Sequence, residues 1–340
     1  MPNWTDAEKS FMKRAIEIAW QGRGKTSPNP MVGCVLVQDG EIIAEGWHDH
    51  LGALHAEQMA IHNAEENGRS TNGATAYVTL EPCNHFGRTP PCTESLLWAG
   101  INKVVIACGD PNPNVRGSGI KVLQEAGVEV QFGLLETEAA QQMRGFLHWC
   151  EHRQPFVVVK LAVDKHGSVD DLSEDAQRFT SEECLNKVHD FRKDFDAILV
   201  GANTVLRDDP QLTIRRVETT KQPLRIVIDP NSKIPATSKL LTDEFETLHL
   251  TDEFNGLNSL MNKLGDKEIQ MLLVEGGPET IQRFLNTGLV SMFYLVKSSS
   301  VHQKPVPSGI EDSKLRNSGF DLLKTESWGD EEVLIFSKVG

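Results

Sequence analysis

Apolar positions along the chain follow two spacings. An apolar stripe at helical spacing runs from Phe11 to Trp20, and Thr5 with Glu8 forms a capping box that begins this helix. Short apolar runs bounded by glycine, asparagine or proline predict strands, and helical spacing returns between them. The predicted strands cover residues 31–37, 41–46, 74–80, 104–108, 129–132, 197–201, 225–228, 247–250, 271–275 and 333–337, and further helices cover residues 55–66, 92–99 and 136–152.

The alternation of strands with helices predicts an α/β fold in both halves of the chain. A length of 340 residues favours two domains. A polar segment that ends in Pro155 precedes a new apolar run at 156–163, so we place the boundary there. The predicted domains are residues 1–150 and 155–340, and they differ because no internal repeat relates them.

Composition narrows the class of function. The net charge is −14 and no basic stripe stands out, which argues against a nucleic-acid partner. No apolar run approaches the ~18 residues of a membrane span, and the first residues lack the layout of a cleavable signal. The six cysteines are sparse and show no disulfide framework, which indicates a reducing cytoplasm.

One constellation carries chemistry: His55-Ala56-Glu57, then Pro82-Cys83, then Cys92. An imidazole and two thiolates form a three-ligand set for zinc that leaves one position for water. Zinc lowers the pKa of such a water, which can then attack an amidine-like ring carbon. Glu57 at the first turn of the same helix can transfer the proton to the departing amine. The pattern predicts a zinc-dependent deaminase with Glu57 as its catalytic residue.

The spacing of the two cysteines departs from the usual deaminase signature. Eight residues separate Cys83 from Cys92, where the common motif has two. We predict that the intervening residues 84–91 form a loop over the site and that this loop contacts the substrate. A structural zinc is the competing interpretation, but it needs a fourth protein ligand and His85 is the only nearby candidate.

Five segments stand in family order and closely resemble the deaminase domain of the bifunctional riboflavin-biosynthesis deaminase/reductases. The resemblance implies a cytidine-deaminase-like α/β/α sandwich and a pyrimidine nucleotide substrate, a ribosylamino-pyrimidinone 5′-phosphate. It also implies that Asn29 and His48 hold the substrate, with Arg88 and Thr89 near its phosphate. The segments are Thr26–Gly33, Gly46–His48, His55–Glu57, Glu81–Cys92 and Asp110–Gly119.

The second half resembles the NADPH-dependent reductase domain of the same family, which is related in fold to dihydrofolate reductase. The resemblance rests on Asp196–Val205, Asp208–Thr213 and Val274–Pro278. It implies a homo-oligomer, a dimer or tetramer. It places Arg192, Leu212, Arg215 and Glu275 near the substrate, and Ala162, Thr204, Asp208 and Gly277 near NADPH.

This half also departs from the family pattern. Asp164 puts a negative charge near a site for anionic ligands, and Pro230 removes a hydroxyl and a backbone donor that could face a cofactor phosphate. Three hypotheses follow: a working reductase, a deaminase whose second domain persists only as a scaffold or dimer interface, or a zinc deaminase of another free nucleotide. The departures stand at Asp164, His166, Arg178, Pro230 and Ser291-Met292.

Overall fold

The chain divides into two units, Met1–Arg153 and Gln154–Gly340, in a computed structural model. The structure describes residues 3–85, 90–112, 117–174, 179–251 and 255–338. Each unit has its own sheet and its own core.

The first unit is built on a five-stranded sheet. Its helices are α1 (Asp6–Ala19), α2 (Ala56–Glu66), α3 (Cys92–Trp98), α4 (Ser118–Glu125), α5 (Glu136–Gln142) and α6 (Arg144–His152). Its strands are β1 (Gly33–Gln38), β2 (Glu41–Trp47), β3 (Thr75–Leu80), β4 (Lys103–Cys108) and β5 (Glu129–Phe132). The strand order is β2-β1-β3-β4-β5, in which β3, β4 and β5 run parallel and β1 is antiparallel to both of its neighbours.

Both faces of this sheet are covered. Because side chains alternate along a strand, Cys34 and Leu36 of β1 pack with α2, α3 and α4, while Val35 and Val37 pack with α1 and α5. This arrangement is the predicted α/β/α sandwich.

The second unit is larger. Its strands are β6 (Phe156–Val163), β7 (Ser168–Asp171), β8 (Ala197–Gly201), β9 (Leu224–Ile228), β10 (Thr247–Leu250), β11 (Met271–Val274), β12 (Val290–Lys297), β13 (Pro305–Pro307), β14 (Phe320–Trp328) and β15 (Glu331–Lys338). Its helices are α7 (Glu182–Phe191), α8 (Ala202–Asp208), α9 (Lys239–Thr242), α10 (Leu257–Asp266), α11 (Pro278–Thr287) and α12 (Asp312–Asn317).

Eight strands of this unit form one sheet in the order β10-β9-β8-β11-β6-β12-β15-β14, and β7 pairs with β13 separately. From β10 to β12 the strands run parallel, and β15 is antiparallel to both of its neighbours. Helices α10, α11 and α12 pack on one face, and α7, α8 and α9 pack on the other. Since β8, β9 and β11 are parallel, the residues that follow them meet at one edge, where α/β proteins bind ligands.

The fold class expected for each half is confirmed, with local differences. The helix predicted over 136–152 is wrong as one element, because Met143 has φ −103° and ψ 15° and separates α5 from α6. Strands β7, β12, β13 and β14 were not predicted, and the apolar run at 156–163 forms β6. Among the described helices, none has the length and apolar character to cross a membrane.

Candidate functional site

Three metal-ligating side chains converge in the first unit. His55 is the residue before α2, Cys83 follows β3, and Cys92 begins α3. The Nδ1 atom of His55 lies 3.6 Å from Cys83 Sγ and 3.3 Å from Cys92 Sγ. All three donor atoms lie within 4.8 Å of one another. Cys83 and Cys92, which follow His55 by 28 and 37 residues in the sequence, therefore form one cluster with it.

The donor set fits zinc. Zinc favours thiolate and imidazole ligands, and three protein ligands are typical of a catalytic site. Hydrogen bonding with Cys92 lowers the pKa of Cys83, which favours the thiolate, the form of cysteine that binds a metal. In the described part of the chain, no fourth residue joins the cluster, which favours a catalytic site over a structural one.

Glu57 lies in the first turn of α2 and is buried, with 3% of its surface exposed. Burial raises its pKa to about 7, and the nearby charge of Cys83 adds to the effect. A carboxyl group with a pKa near the ambient pH can both accept and donate a proton. Its position and its acidity suit a proton carrier.

Asn29 and His48 form a pair on the same cavity. Asn29 Nδ2 and His48 Nε2 lie 3.1 Å apart, and His48 Nδ1 lies 3.0 Å from the carbonyl oxygen of Leu54. Burial lowers the pKa of His48, which keeps the ring neutral. A neutral ring that donates from Nδ1 to Leu54 accepts at Nε2 from Asn29, so both side chains are held in fixed orientations.

A cavity of about 420 Å³ joins these groups. Asn29, His48, Glu57 and the cluster residues His55 and Cys83 line it. The sequence assigned no role to three further residues in its wall. These are Asp110, whose pKa burial raises to about 6, together with Asn112 and Phe146.

Glu81 supports the segment that carries Cys83. Its carboxylate accepts backbone N–H groups of Gly117 and Gly119, both at 3.1 Å, and of Ile120 at 3.4 Å. A negative charge is stabilised at a helix N-terminus by these unpaired amides and by the helix dipole. Glu81 thus fixes the end of β3 to the start of α4.

Gly119 is required where α4 approaches this segment. A Cβ at Gly119 would lie 2.1 Å from the carbonyl oxygen of Pro82, the residue before Cys83. We expect Gly119→Ala to lower the free energy of unfolding by ~1–3 kcal/mol, because the added methyl displaces backbone, and to reduce the predicted deaminase activity. Denaturant titration measures the first effect. Gly109→Ala is the matched control, since among the described residues its Cβ meets only the Phe132 ring, at 3.6 Å; equal stability of the two variants would contradict this account.

The second unit has a cavity of about 720 Å³ with a buried ion cluster in its wall. Glu275, at the end of β11, lies 3.2 Å from Lys160 Nζ and accepts hydrogen bonds from Arg192 Nε and Nη2 at 3.0 and 2.7 Å. Burial would raise the pKa of Glu275, but the charges of Arg192 and Lys160 outweigh it and lower the pKa to about 2. Glu275 is therefore ionised at every physiological pH.

Other residues predicted near the substrate line the same cavity. Leu212 is buried with φ +56°, a rare conformation for a bulky side chain. The backbone N–H of Arg215 donates to His189 Nδ1 at 3.2 Å. His189, which sequence reasoning missed, is buried, and burial lowers its pKa to about 4, so it accepts this bond as a neutral ring.

A smaller cavity of about 170 Å³ lies where β8, β9 and β11 end. Thr204 lines both cavities of this unit, and its Oγ1 accepts the backbone N–H of Gly277 at 3.1 Å. Residues Asp229 to Lys233 form another wall. Buried Asp229 accepts the N–H groups of Lys233 and Ile234 at 2.9 and 3.0 Å, which holds this turn in place.

Two family models match the chain. Residues 5–108 match the cytidine and deoxycytidylate deaminase zinc-binding region, and residues 155–301 match the RibD C-terminal domain. Riboflavin biosynthesis protein RibD of Aquifex aeolicus is 37% identical, over 98% of this chain and 99% of that protein. The chain belongs to the RibD family. RibD of Escherichia coli is 38% identical over 83% of this chain and 85% of its own length.

Solved RibD structures extend the similarity to the whole fold. The diaminohydroxyphosphoribosylaminopyrimidine deaminase/5-amino-6-(5-phosphoribosylamino)uracil reductase of Thermotoga maritima superposes with a TM-score of 0.90, is 34% identical, and covers 98% of this chain and 99% of its own. Acinetobacter baumannii RibD superposes with a TM-score of 0.89 at 32% identity, with the same coverage.

In each unit of this RibD protein, most of the predicted site residues line a shared cavity. In the second unit, one cavity collects the four predicted substrate residues, and Gly277 lies in the smaller one. Arg88, Thr89 and Arg178 lie outside the described residues. The residues that share the larger cavity are Arg192, Leu212, Arg215 and Glu275 with Ala162, Thr204 and Asp208.

Asp164 lies in the turn between β6 and β7. It is not among the residues that line the two cavities of this unit described above, and its carboxylate closes the turn. It accepts the backbone N–H groups of His166, Ser168 and His302 at 2.9, 2.8 and 3.0 Å. Burial would raise its pKa, but these hydrogen bonds outweigh it and lower the pKa. The charge is satisfied inside the protein.

Two other departures have similarly local consequences. Pro230 lines the smaller cavity, and Asn231 and Lys233 in the same turn bring polar groups to it. Ser291 lies where the β12 register shifts, and Met292 is buried in the core. These substitutions leave both cavities of the RibD reductase unit in place.

Proposed function

We propose that this chain catalyses two consecutive reactions of riboflavin biosynthesis. Its first unit deaminates a diamino-ribosylamino-pyrimidinone 5′-phosphate by hydrolysis, and its second unit reduces the ribosyl group of the product to ribityl with NADPH. One observation supports this proposal most directly. The predicted zinc cluster and the cavity of the second unit occur in one chain, and 98% of that chain aligns with RibD of Aquifex aeolicus.

In the deaminase, His55, Cys83 and Cys92 would hold zinc. Zinc supplies Lewis acidity that activates water for attack on a ring carbon. Glu57 takes up a proton in the buried wall of the cavity and delivers it to the departing amine. The fixed pair of Asn29 and His48 orients the pyrimidine in the cavity that they line.

In the reductase, NADPH supplies a hydride. The N-terminus of α11, with Gly277 at its start, suits a cofactor phosphate. Thr204 holds the Gly277 backbone and lies in both cavities, so the cofactor and the substrate meet beside it. Arg192 and Arg215 suit a substrate phosphate, while Glu275, always ionised, positions Arg192 and Lys160.

Ammonia and NADPH followed separately test the two reactions. The purified full chain is given the diamino-pyrimidinone phosphate with and without NADPH. We expect ammonia in both cases and NADPH oxidation only after deamination. Ammonia release without NADPH oxidation would leave a deaminase with an inactive second unit, and no ammonia would overturn the proposal.

We further propose that residues 1–150 and 155–340 are the two functional domains and that the protein works as a homo-oligomer, a dimer or tetramer, in the cytoplasm. All six cysteines, which fall within the described ranges, are free, as suits a reducing compartment. Light scattering on the purified chain measures its assembly.

Lys233 tests the cofactor assignment. Lys233 lines the smaller cavity beyond β9, and in the sheet β8 separates β9 from β11, the strand that leads to the α11 N-terminus. A basic group beside the adenosine ribose selects NADPH, whereas an acidic one selects NADH. We expect Lys233→Glu to raise the KM for NADPH at least about 10-fold, equivalent to ~1.4 kcal/mol, with little change for NADH. The control is Lys263→Glu on the exposed face of α10; an unchanged preference in Lys233→Glu would remove Lys233 from the cofactor site.

A further inference from the structure

Gln58 connects two segments that carry metal ligands. It lies on α2, three residues after His55, and only 9% of it is exposed. Its Oε1 accepts the backbone N–H of His55 at 3.3 Å. Its Nε2 donates to the carbonyl oxygen of Pro90 at 2.9 Å and to Ser95 Oγ at 3.3 Å. One amide group thus bonds to the start of α2 and to both sides of Cys92.

These contacts determine where Cys92 lies. Pro90 and Pro91 lead directly into Cys92, and Ser95 Oγ donates back to the carbonyl oxygen of Pro91 at 3.3 Å. Gln58 and Pro90 are 32 residues apart in sequence, so their hydrogen bond is a tertiary constraint. Rotation or withdrawal of the Gln58 amide would release the backbone before Cys92 while leaving His55 at its helix.

Cys83 is attached to the same region by different groups. The backbone N–H of Thr93 donates to the carbonyl oxygen of Cys83 at 3.2 Å, and Thr93 Oγ1 donates to Asn84 Oδ1 at 2.8 Å. These bonds join the two cysteine segments to each other. The Gln58 bonds join them to the helix that carries His55, so the two sets of contacts are complementary.

We propose that Gln58 is a positioning residue of the metal site. It holds Cys92 close enough to His55 for both side chains to bind one zinc ion, and so sets how long the protein retains zinc. The inference rests on the proposed function in one respect: that His55, Cys83 and Cys92 hold zinc. Gln58 itself stays off the metal, since its amide is engaged by the backbone and by Ser95. Groups that orient metal ligands in this way typically contribute 10- to 100-fold to metal affinity.

Zinc release from the full chain tests the inference. Zinc-loaded protein is mixed with excess chromogenic chelator, and the release rate is recorded beside the melting temperature of the zinc-free protein. We expect Gln58→Ala to release zinc at least about 10-fold faster than the wild type. Gln58→Glu, which keeps the acceptor and loses the amide donor, should behave in the same way.

Gln142→Ala is the matched control. Gln142 is also 9% exposed in the same unit, and its Nε2 donates to the carbonyl oxygen of Ile16 at 2.9 Å, outside the metal cluster. It should lower the melting temperature without accelerating zinc release. Ser95→Ala, which removes one of the two acceptors, should give an intermediate rate and provides the test if Gln58→Ala does not fold.

Two results would overturn the inference alone: release from Gln58→Ala and Ser95→Ala within about twofold of the wild type, or equal acceleration by Gln142→Ala. A twofold difference corresponds to ~0.4 kcal/mol, less than one net hydrogen bond. A wild-type chain that binds no zinc would overturn the proposed deaminase and this inference together.

Discussion

Glu57→Gln is expected to lower the rate of ammonia release by ~10²- to 10⁴-fold, the usual contribution of a positioned proton carrier. The amide has nearly the shape of the carboxyl group, so the cavity wall that Glu57 forms is preserved. What disappears is the ability to take a proton from water and give it to the leaving amine. The ammonia assay with saturating substrate measures the loss as a change in kcat.

Two controls separate lost chemistry from lost structure. Glu66→Gln removes an exposed carboxylate at the far end of the same helix and should leave ammonia release unchanged. The Glu57→Gln protein should retain its zinc and should still oxidise NADPH when given the deaminated pyrimidine. Ammonia release at the wild-type rate in Glu57→Gln would rule out Glu57 as the proton carrier.

Glu275→Ala is expected to abolish NADPH oxidation and to destabilise the second unit by ~3–5 kcal/mol. Glu275 is ionised and buried between Lys160 and Arg192, whose side chains are 16% and 12% exposed. Removing the anion leaves two largely buried cations without their carboxylate partner. The free-energy cost of these unpaired charges exceeds the net stabilisation that the ion pairs provide. Thermal unfolding and the NADPH assay measure the two effects, while ammonia release should persist.

The matched control removes a surface carboxylate from the same unit. Glu326 pairs with Lys324 on β14, where both side chains are exposed, and such pairs contribute ~0–1 kcal/mol. Glu326→Ala should therefore retain NADPH oxidation and nearly all stability. Glu275→Gln keeps the side-chain volume and isolates the effect of charge; full NADPH oxidation by this variant would contradict a charge-based role for Glu275.

The local spacing of apolar residues was enough to predict the helices and strands that bury an apolar face. Strand β14 was missed because seven of its nine residues are not buried and it lies at the sheet edge, so little apolar alternation marks it. Strand β12 was missed for a different reason: its apolar run is continuous, and periodicity alone does not distinguish a buried strand from a buried helix.

The site was predictable where its chemical groups belong to residues that are close together in the sequence. The zinc ligands and Glu57 stand in short motifs, whereas Gln58, Glu81 and His189 act through partners 26 to 39 residues away. The charge of Asp164 was visible in the sequence. Its backbone donors were not, because they come from two separate turns of the second unit.

The carboxylate of Glu81 has a consequence for the orientation of the nucleotide. Three amides at the start of α4 point to this side chain, which occupies the position where a phosphate oxyanion commonly binds a helix. The protein thus carries an internal anion at that end of the deaminase cavity, and a second anion there would be repelled. For the proposed deaminase we therefore expect the substrate phosphate to bind away from the start of α4.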